Sequence, residues 1–302
     1  MRENSVKTRG KIWYYSLHNF FSLLDRQKTE YAVIKGEALS LYAYNMLGAR
    51  KSNDIDILVR REDIDLVDKL LRAEGFIQIN GRQQTASRAE IVGSLINSHQ
   101  TLPYVKSISP YGLKVEIDVN LEVMWGEWKG RKIEVDEFLR NVERTNIYGE
   151  NVNVLAPHYA FVHLLLHNYK DCNSIYILAT RNSINYMMFL EVYLFWKNFK
   201  DFISIDWLVK FVGKYEIGEY LYYILFYTNS IYGDKEMGNY VNALESKKGR
   251  GLLNCYGLND AERKEWKVPF RDRLMEENQL KLLQGELSKE DIRKIDYNKK
   301  MF

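Results

Sequence analysis

Two aspartates stand one residue apart at the start of an apolar run, in the segment SNDIDILV of residues 52–59. Because side chains alternate across a strand, Asp54 and Asp56 would point to one face and Ile55 and Ile57 to the other. Aspartate is depleted in strands, and neighbouring carboxylates repel each other. A divalent cation held by both carboxylates would offset these costs, so the segment predicts a metal-binding strand end.

Two further segments could meet these aspartates. Lys35 and Gly36 follow a short predicted strand, YAVI, and open a predicted helix. Glycine lets a ligand approach the backbone closely, and a helix N-terminus attracts anions. Downstream, GLKVEIDVNL alternates between apolar and polar residues, which predicts a half-buried strand whose polar face carries Glu116 and Asp118. If the acidic strands are neighbours in one sheet, three carboxylates meet above a phosphate-binding turn.

Three carboxylates beside a phosphate-binding turn are the components of a two-metal site for phosphoryl or nucleotidyl transfer. Two Mg²⁺ ions held by shared aspartates can activate an attacking hydroxyl and stabilise the leaving pyrophosphate. Mg²⁺ is usually bound by a few carboxylates together with substrate phosphates. The sequence therefore predicts Mg²⁺, or Mn²⁺, as the cofactor and a nucleotide as the ligand.

The segment from Ile34 to Phe76 resembles the polymerase-β-like nucleotidyltransferase superfamily, and most closely a bacterial family of uncharacterised nucleotidyltransferases. The residues that carry the resemblance are Lys35-Gly36, Arg50, Asp54, Asp56, Gly75-Phe76 and Glu116. LLLHNYK, at residues 164–170, is similar to the histidine-bearing helix of that family. The resemblance therefore covers about residues 30–190.

The resemblance implies a role for each of these positions. Asp54 and Asp56 would bind both metal ions, and Glu116 would complete one metal site and act as the general base, directly or through the metal. Three residues would bind the nucleotide by allowing close approach of its phosphates or by neutralising their charge: Lys35, Gly36 and Arg50.

Two positions depart from the family pattern. Glu37 places an acid in the phosphate turn, where many relatives have a small residue. Asp118 stands where closer relatives often have a histidine, so either Glu116 or Asp118 can be the third metal ligand. Glu116 is the first choice because it matches the family by position.

The elements predict an α/β half followed by a helical half. Helical periods are expected at residues 13–28, 37–47 and 61–74, and again from about Pro157, with later helices near 261–285 and 288–298. The expected fold is a polymerase-β-like nucleotidyltransferase domain, a mixed sheet with helices, over residues 1–155. A mostly helical domain over residues 156–302 would close the cleft and contribute to the acceptor site.

The bulk composition gives no positive signal for several other classes of protein. The formal net charge of +3 is too small to indicate a dedicated nucleic-acid binder. Cys172 and Cys255 are too far apart in sequence to predict a disulfide framework or a zinc site. The most apolar segments, at residues 184–196 and 219–227, are shorter than the roughly 20 residues that span a bilayer. Because no apolar signal-peptide core is visible either, the protein is expected to be cytoplasmic and without a membrane partner.

These expectations combine into one principal function and two alternatives. The principal function is metal-dependent transfer of a nucleoside monophosphate, with ATP as the first candidate donor, to a hydroxyl group with release of pyrophosphate. A small molecule or a protein is favoured over RNA as the acceptor. The first alternative is a non-catalytic nucleotide-binding or interaction protein, which Glu37 would explain. The second alternative is a toxin-type nucleotidyltransferase that acts on RNA ends.

Overall fold

The computed structural model describes residues 2–108, 112–126, 130–181, 183–283 and 285–301. The chain divides into two units. The first comprises residues 1–126, 133–160 and 300–302, and the second residues 127–132 and 161–299. The boundary at residues 160 and 161 lies inside a helix that begins at Pro157, the residue predicted to open it.

Seven strands form the central sheet of the first unit. They are β1 (Tyr31–Ile34), β2 (Ile55–Val59), β3 (Ile77–Gln78), β4 (Tyr104–Ile108), β5 (Leu113–Asn120), β6 (Val142–Ile147) and β7 (Glu150–Leu155). Their order is β3-β4-β5-β2-β1-β7-β6. The pairs β2–β5 and β1–β7 are parallel and the others antiparallel, so the sheet is mixed. Both central strands, β1 and β2, are buried along their whole length, which explains their nearly continuous apolar runs.

Six helices accompany this sheet. They are α1 (Arg2–Ser16), α2 (His18–Arg26), α3 (Gly36–Tyr44), α4 (Ile64–Ala73), α5 (Arg88–Asn97) and α6 (Val135–Leu139). The helix α3 was expected to end at Gly48 but ends earlier, because Asn45 adopts a left-handed conformation with φ of 52°. The short 3₁₀ turn Arg61–Asp63 leads into α4, so the helix expected from residue 61 begins as a tighter turn.

The N-terminal region differs from the single helix expected at residues 13–28. The structure has two helices, and α1 begins eleven residues earlier, at Arg2. The break lies at Leu17, whose N–H donates to the Tyr14 carbonyl, while the Ser16 hydroxyl donates to the Trp13 carbonyl. The early residues of α1 are mostly polar and charged, so they show no apolar period that would reveal the helix.

A hairpin that was not predicted from the sequence completes the sheet. Strands β6 and β7 pair in register around a two-residue turn, Tyr148 and Gly149, with φ of 55° and 99°. β7 then pairs in parallel with β1, with Val154 opposite Val33. The hairpin matters for function because Tyr148 contacts a helix beside the acidic strands.

The second unit is mostly helical. Its helices are α7 (Pro157–Asn173), which starts in the first unit, α8 (Ile175–Arg181), α9 (Tyr186–Phe199), α10 (Ile205–Tyr215), α11 (Gly218–Tyr232), α12 (Lys235–Leu244), α13 (Lys247–Leu252), α14 (Phe270–Met275) and α15 (Lys289–Met301). A two-stranded sheet of β8 (Cys255–Tyr256) and β9 (Lys264–Glu265) and a 3₁₀ turn, Gln279–Leu283, interrupt them. The later helices thus differ from the expected bounds: α14 is much shorter than 261–285.

Aromatic side chains form much of the core of the second unit. Trp196 and Tyr223 are among its largest fully buried side chains. Arg273 is also fully buried, and its guanidinium lies over the rings of Tyr227, Trp266 and Phe270. The structure thus combines a mixed α/β sheet with a helical C-terminal part, and the predicted fold class is confirmed. In the part of the chain that the structure describes, every helix is too short or too polar to cross a membrane.

Candidate functional site

The acids of β2 and β5 are brought together by the register of these two parallel strands. Ile55 pairs with Ile117, and Asp56 pairs with Asp118. Asp54 stands immediately before β2, so by alternation it shares a face with Asp56. The predicted meeting of the Asp-x-Asp segment with the acidic strand is therefore confirmed, and Asp118 is the residue directly beside Asp56.

Lys35 lies at the centre of these carboxylates. Its Nζ is 2.5 Å from Asp56 Oδ1, and the two side chains are only 15% and 4% exposed. The antiparallel pairing of β1 with β2 explains this contact, because Ile34 pairs with Asp56 and Lys35 follows directly. Asn120, on β5, donates from Nδ2 to the same Asp56 oxygen at 3.3 Å. Lys35 was expected at the phosphates, and in the structure its ammonium lies on the acids.

Asp118 has a buried carboxylate oxygen with no local partner. Its Oδ1 makes no hydrogen bond with any residue that the structure describes. Burial raises the pKa of Asp118 well above its ordinary value, and the charges of Asp56 and Asp54 raise it further. The pKa of Asp56 is also raised by burial, while the nearby Lys35 ammonium lowers it.

The carboxylates fit a divalent cation by their chemistry. An orphaned carboxylate oxygen beside a second carboxylate is costly in a buried position, and a cation would satisfy both. Within the described ranges, no three acidic, histidine or cysteine side chains are already arranged to hold a metal ion. One of the carboxylates that would have to converge on a metal ion, that of Asp56, is already paired with the Lys35 ammonium.

Glu116 lies two residues before Asp118 on the same face of β5. It is half-buried, pairs in register with Val105 of β4, and its charge raises the pKa of Asp118. The β2–β5 register, extended by one residue before the Ile55–Ile117 pair, places Glu116 opposite Asp54. The assignment of Glu116 as catalytic acid and third metal ligand stays a prediction, and the geometry makes Asp118 the nearer neighbour of Asp56.

The expected phosphate turn has an unusual backbone. Gly36 has φ of 46° and opens α3, so the free N–H groups of the helix N-terminus start here. Lys35 has φ of 58° and ψ of −152°, a combination that only glycine usually adopts and that costs a lysine about 1–3 kcal/mol. A Cβ on Gly36 would lie 3.6 Å from Ser52 Oγ, and that hydroxyl is 3.0 Å from Asp54 Oδ1. The turn therefore lies directly against the segment that leads into β2.

Glu37 is engaged in holding a loop. Its carboxylate accepts hydrogen bonds from the Gly48 N–H at 2.8 Å and from the Tyr148 hydroxyl at 3.1 Å. Burial raises its pKa, and these two hydrogen bonds oppose that shift. One partner lies on the α3–β2 loop and the other on the β6–β7 turn. Glu37 is thus a structural acceptor in this site.

Ser40, one turn further along α3, holds the same loop. It is fully buried, and its hydroxyl donates to the Met46 carbonyl and accepts from the N–H groups of Ala49 and Arg50. Arg50, expected to neutralise phosphate charge, therefore stands on an anchored loop. Its positive charge also acts on Glu37, where it lowers the pKa.

The helix α1 supplies site residues that were not predicted from the sequence. A small pocket, partly open to solvent, is lined by residues of α1 and of the acidic site, including Arg9, Trp13, Tyr14, Gly36, Glu37, Asp54 and Asp56. The Arg9 guanidinium donates to the Ser52 carbonyl and lies 4.8 Å from the centre of the Trp13 ring. One arginine in a charged N-terminal segment carries no recognisable signal. Asn120, in contrast, could have been found, because it continues the polar face of β5 after Asp118.

A mixed sheet that sets paired acids on adjacent central strands beside a glycine turn is the arrangement expected of a nucleotidyltransferase. The chain belongs to the family described as uncharacterised nucleotidyltransferase, whose model matches residues 2–233. The match confirms the family predicted from the sequence. It includes α1 and ends near the C-terminus of α11.

Several solved chains are similar to this one, and among them is an antigenic nucleotidyltransferase-like protein from Paracoccidioides brasiliensis. The identity is 15%, the TM-score is 0.34, and the match covers 73% of this chain and 94% of that one. None of the curated proteins matches this sequence.

The contacts of Glu37 predict the outcome of its substitution. Glu37→Ala should lower the free energy of unfolding by about 1–3 kcal/mol, because the buried Gly48 N–H and the Tyr148 hydroxyl lose their acceptor. Glu37→Gln keeps an acceptor oxygen and should stay much closer to wild type. Urea denaturation measures both, with the exposed Glu62→Ala as a control expected within about 0.5 kcal/mol. Equal stability of Glu37→Ala and wild type would contradict the anchoring role.

The raised pKa of Asp118 predicts a pH dependence of stability. Because the folded-state pKa lies above the unfolded value of about 3.9, the native state holds this proton more tightly. The stabilisation is fully present below about pH 3.9, and it is lost as the pH rises through the folded pKa. In EDTA, Asp118→Asn should therefore be more stable than wild type at pH 8, and its unfolding free energy should change less between pH 8 and pH 5. Parallel curves for the two proteins would show that Asp118 carries no buried charge penalty.

Proposed function

We propose that this protein is a metal-dependent nucleotidyltransferase. It would transfer the nucleoside monophosphate of an NTP, with ATP as the first candidate, to a hydroxyl group of an acceptor and release pyrophosphate. The observation that carries the proposal is the in-register pair Asp56 and Asp118 beside the Gly36 turn, in a chain of the nucleotidyltransferase family.

The reaction exchanges one phosphorus–oxygen bond for another. The acceptor oxygen forms a bond to the α-phosphorus, and the bond from that phosphorus to the bridging oxygen breaks. Pyrophosphate leaves with the electron pair, and the hydroxyl proton passes to a carboxylate of the site or to water. Glu116, or Asp118 with its raised pKa, is placed on β5 to accept that proton.

The acids would hold Mg²⁺ or Mn²⁺. Asp54, Asp56 and Asp118 form the proposed ligand set, and Glu116 is the alternative third ligand on the same face of β5. When bound, such an ion supplies charge neutralisation at the phosphates and lowers the pKa of the attacking hydroxyl. Asn120 would orient Asp56 through the hydrogen bond to its Oδ1.

The phosphates would be bound at the N-terminus of α3. Gly36 allows close approach there, since its backbone adopts a positive φ and the helix offers free N–H groups. Arg50, on the anchored loop, and Arg9, on α1, add positive charge that acts on the neighbouring Glu37. The guanidinium fork suits polyphosphate oxygens because it can donate two parallel hydrogen bonds.

The acceptor is proposed to be a small molecule or a protein side chain. The net charge of +3 gives no basic excess of the kind that RNA binders show. The contacts of Glu37 with Gly48 and Tyr148 give the acid in the phosphate turn a structural role, so its presence does not by itself favour the non-catalytic alternative.

Asp56→Asn should abolish turnover while leaving the fold intact. Loss of a ligand that both metal ions share removes several kcal/mol of transition-state stabilisation, so we expect a decrease of about 10³-fold or more in pyrophosphate release. The measurement is pyrophosphate release from each of the four NTPs with Mg²⁺ or Mn²⁺ and a lysate as acceptor source. Asp65→Asn, an exposed acid on α4, serves as the matched control and should keep wild-type activity. Wild-type turnover by Asp56→Asn would refute the proposed site.

The same assay separates the two candidate third ligands. If Asp118 is the ligand, Asp118→Asn should lose activity as completely as Asp56→Asn, whereas Glu116→Gln should retain at least a few per cent. The reverse order would restore Glu116 to that role. An NTP labelled at the α-phosphate identifies the acceptor in either case, since the label stays on the modified product. Nucleotide binding without any pyrophosphate release would favour the non-catalytic alternative.

A further inference from the structure

The position of Lys35 in the site has a consequence for how ligands bind. A single ammonium faces three carboxylates: its Nζ is 2.5 Å from Asp56 Oδ1, and it interacts electrostatically with Asp54 and Asp118. The pair is almost completely shielded from solvent, so its attraction is strong. A divalent cation that coordinates Asp56 has to share this carboxylate with the ammonium, which already contacts its Oδ1 atom.

The backbone at Lys35 indicates that the ammonium is needed at this point. Its φ and ψ lie in a region that glycine adopts freely, and a second left-handed residue, Gly36, follows. Backbone strain of this kind concentrates at ligand sites and switch points. A side chain that only filled space would be replaced by glycine at no structural cost. The charge on Lys35 is the property that glycine could not supply.

The same lysine is attached to the phosphate turn itself. Its Cα lies next to Gly36, and its flexible side chain can rotate from Asp56 towards a polyphosphate bound at that turn. Lysine is suited to such a move, because its ammonium is a compact charge on a stem of rotatable bonds. Lys35 can therefore serve either the acids or the phosphates, one at a time.

We propose that Lys35 is a tethered counter-cation that competes with the divalent metal for Asp56 and, once displaced, binds the polyphosphate. This inference rests on the proposed function and adds to it a coupling between the two ligands. Metal binding frees the ammonium for the nucleotide, and nucleotide binding draws the ammonium away from the metal site. By reciprocity each ligand strengthens the other by the same factor, typically about 5-fold to 150-fold.

The proposed competition predicts that removal of the Lys35 ammonium changes the metal affinity and the nucleotide affinity in opposite directions. In Lys35→Met, Mn²⁺ alone should bind about 10-fold tighter, because no ammonium competes for Asp56. At saturating Mg²⁺, α,β-methylene-ATP should bind about 10-fold more weakly, because its phosphates lose the Lys35 contact. Electron paramagnetic resonance of free Mn²⁺ measures the first affinity, and calorimetry the second. A purely structural role for Lys35 would weaken both affinities or change neither.

Two further variants complete the experiment. Lys51→Met removes the same charge from an exposed lysine three residues before Asp54 and should leave both affinities within about 2-fold of wild type. Lys35→Gly removes the ammonium and also relieves the backbone strain, so it should fold even if Lys35→Met does not. It should show the same two effects, tighter Mn²⁺ binding and weaker nucleotide binding.

The outcomes separate the proposed function from the coupling at Lys35. Wild-type protein that binds neither Mn²⁺ nor α,β-methylene-ATP would overturn the proposed function and the inference with it. Wild-type protein that binds both, with Mn²⁺ affinity unchanged or reduced in the Lys35 variants, would overturn the inference alone. Tighter Mn²⁺ binding together with weaker nucleotide binding in Lys35→Met or Lys35→Gly would establish the competition.

Discussion

The parallel register of β2 with β5 is the constraint on which the site depends. It places Asp56 directly beside Asp118, on strands whose other residues are largely buried. Two carboxylates that close together cannot both be charged without compensation in a medium of low polarity. A proton on Asp118 or a nearby cation can relieve this repulsion, and the residue that follows β1 supplies a cation, since Ile34 pairs with Asp56 and Lys35 comes next.

The unfavourable free energy of the site is offset by hydrogen bonds that hold its loops. A strained lysine backbone and a buried carboxylate oxygen without a partner both oppose folding. Two side chains of α3, Ser40 and Glu37, form hydrogen bonds that stabilise the loop and the hairpin turn. Ser40 bonds three backbone groups of the α3–β2 loop, and Glu37 bonds one N–H of that loop and the Tyr148 hydroxyl. The loop is therefore fixed in place by an element that itself starts at the phosphate turn.

Much of the sheet could be predicted from the sequence, because burial leaves a local pattern. The strands β1 and β2 are short apolar runs, and β5 alternates with Val115, Ile117 and Val119 buried. The register between β2 and β5 leaves no such pattern, since it depends on which residues of two distant segments become neighbours. For this reason the sequence could not show that Asp118, and not Glu116, lies directly beside Asp56.

Other parts of the site were hidden for a different physical reason. α1 shows no continuous apolar face that would reveal it in the sequence. It is held by individual contacts: Gly10 packs so closely against the Tyr148 ring that a Cβ would not fit, and Arg9 donates to the Ser52 carbonyl. Those contacts join segments that are far apart in sequence. The β6–β7 hairpin did carry a local signal, the Tyr148-Gly149 turn, but strand β6 is polar and largely exposed, so its alternation is weak.

Glu37 shows why the direction of a side chain decides its electrostatic role. In the sequence it stands next to Gly36, and an acid so close to a phosphate turn would repel the triphosphate if it faced the ligand. Successive residues of a helix point about 100° apart, so adjacency in sequence does not imply a shared face. In the structure the carboxylate faces Gly48 and Tyr148 and is stabilised by their hydrogen bonds. An acid that looks inhibitory in the sequence therefore holds in place the loop that carries Arg50 and leads to Asp54.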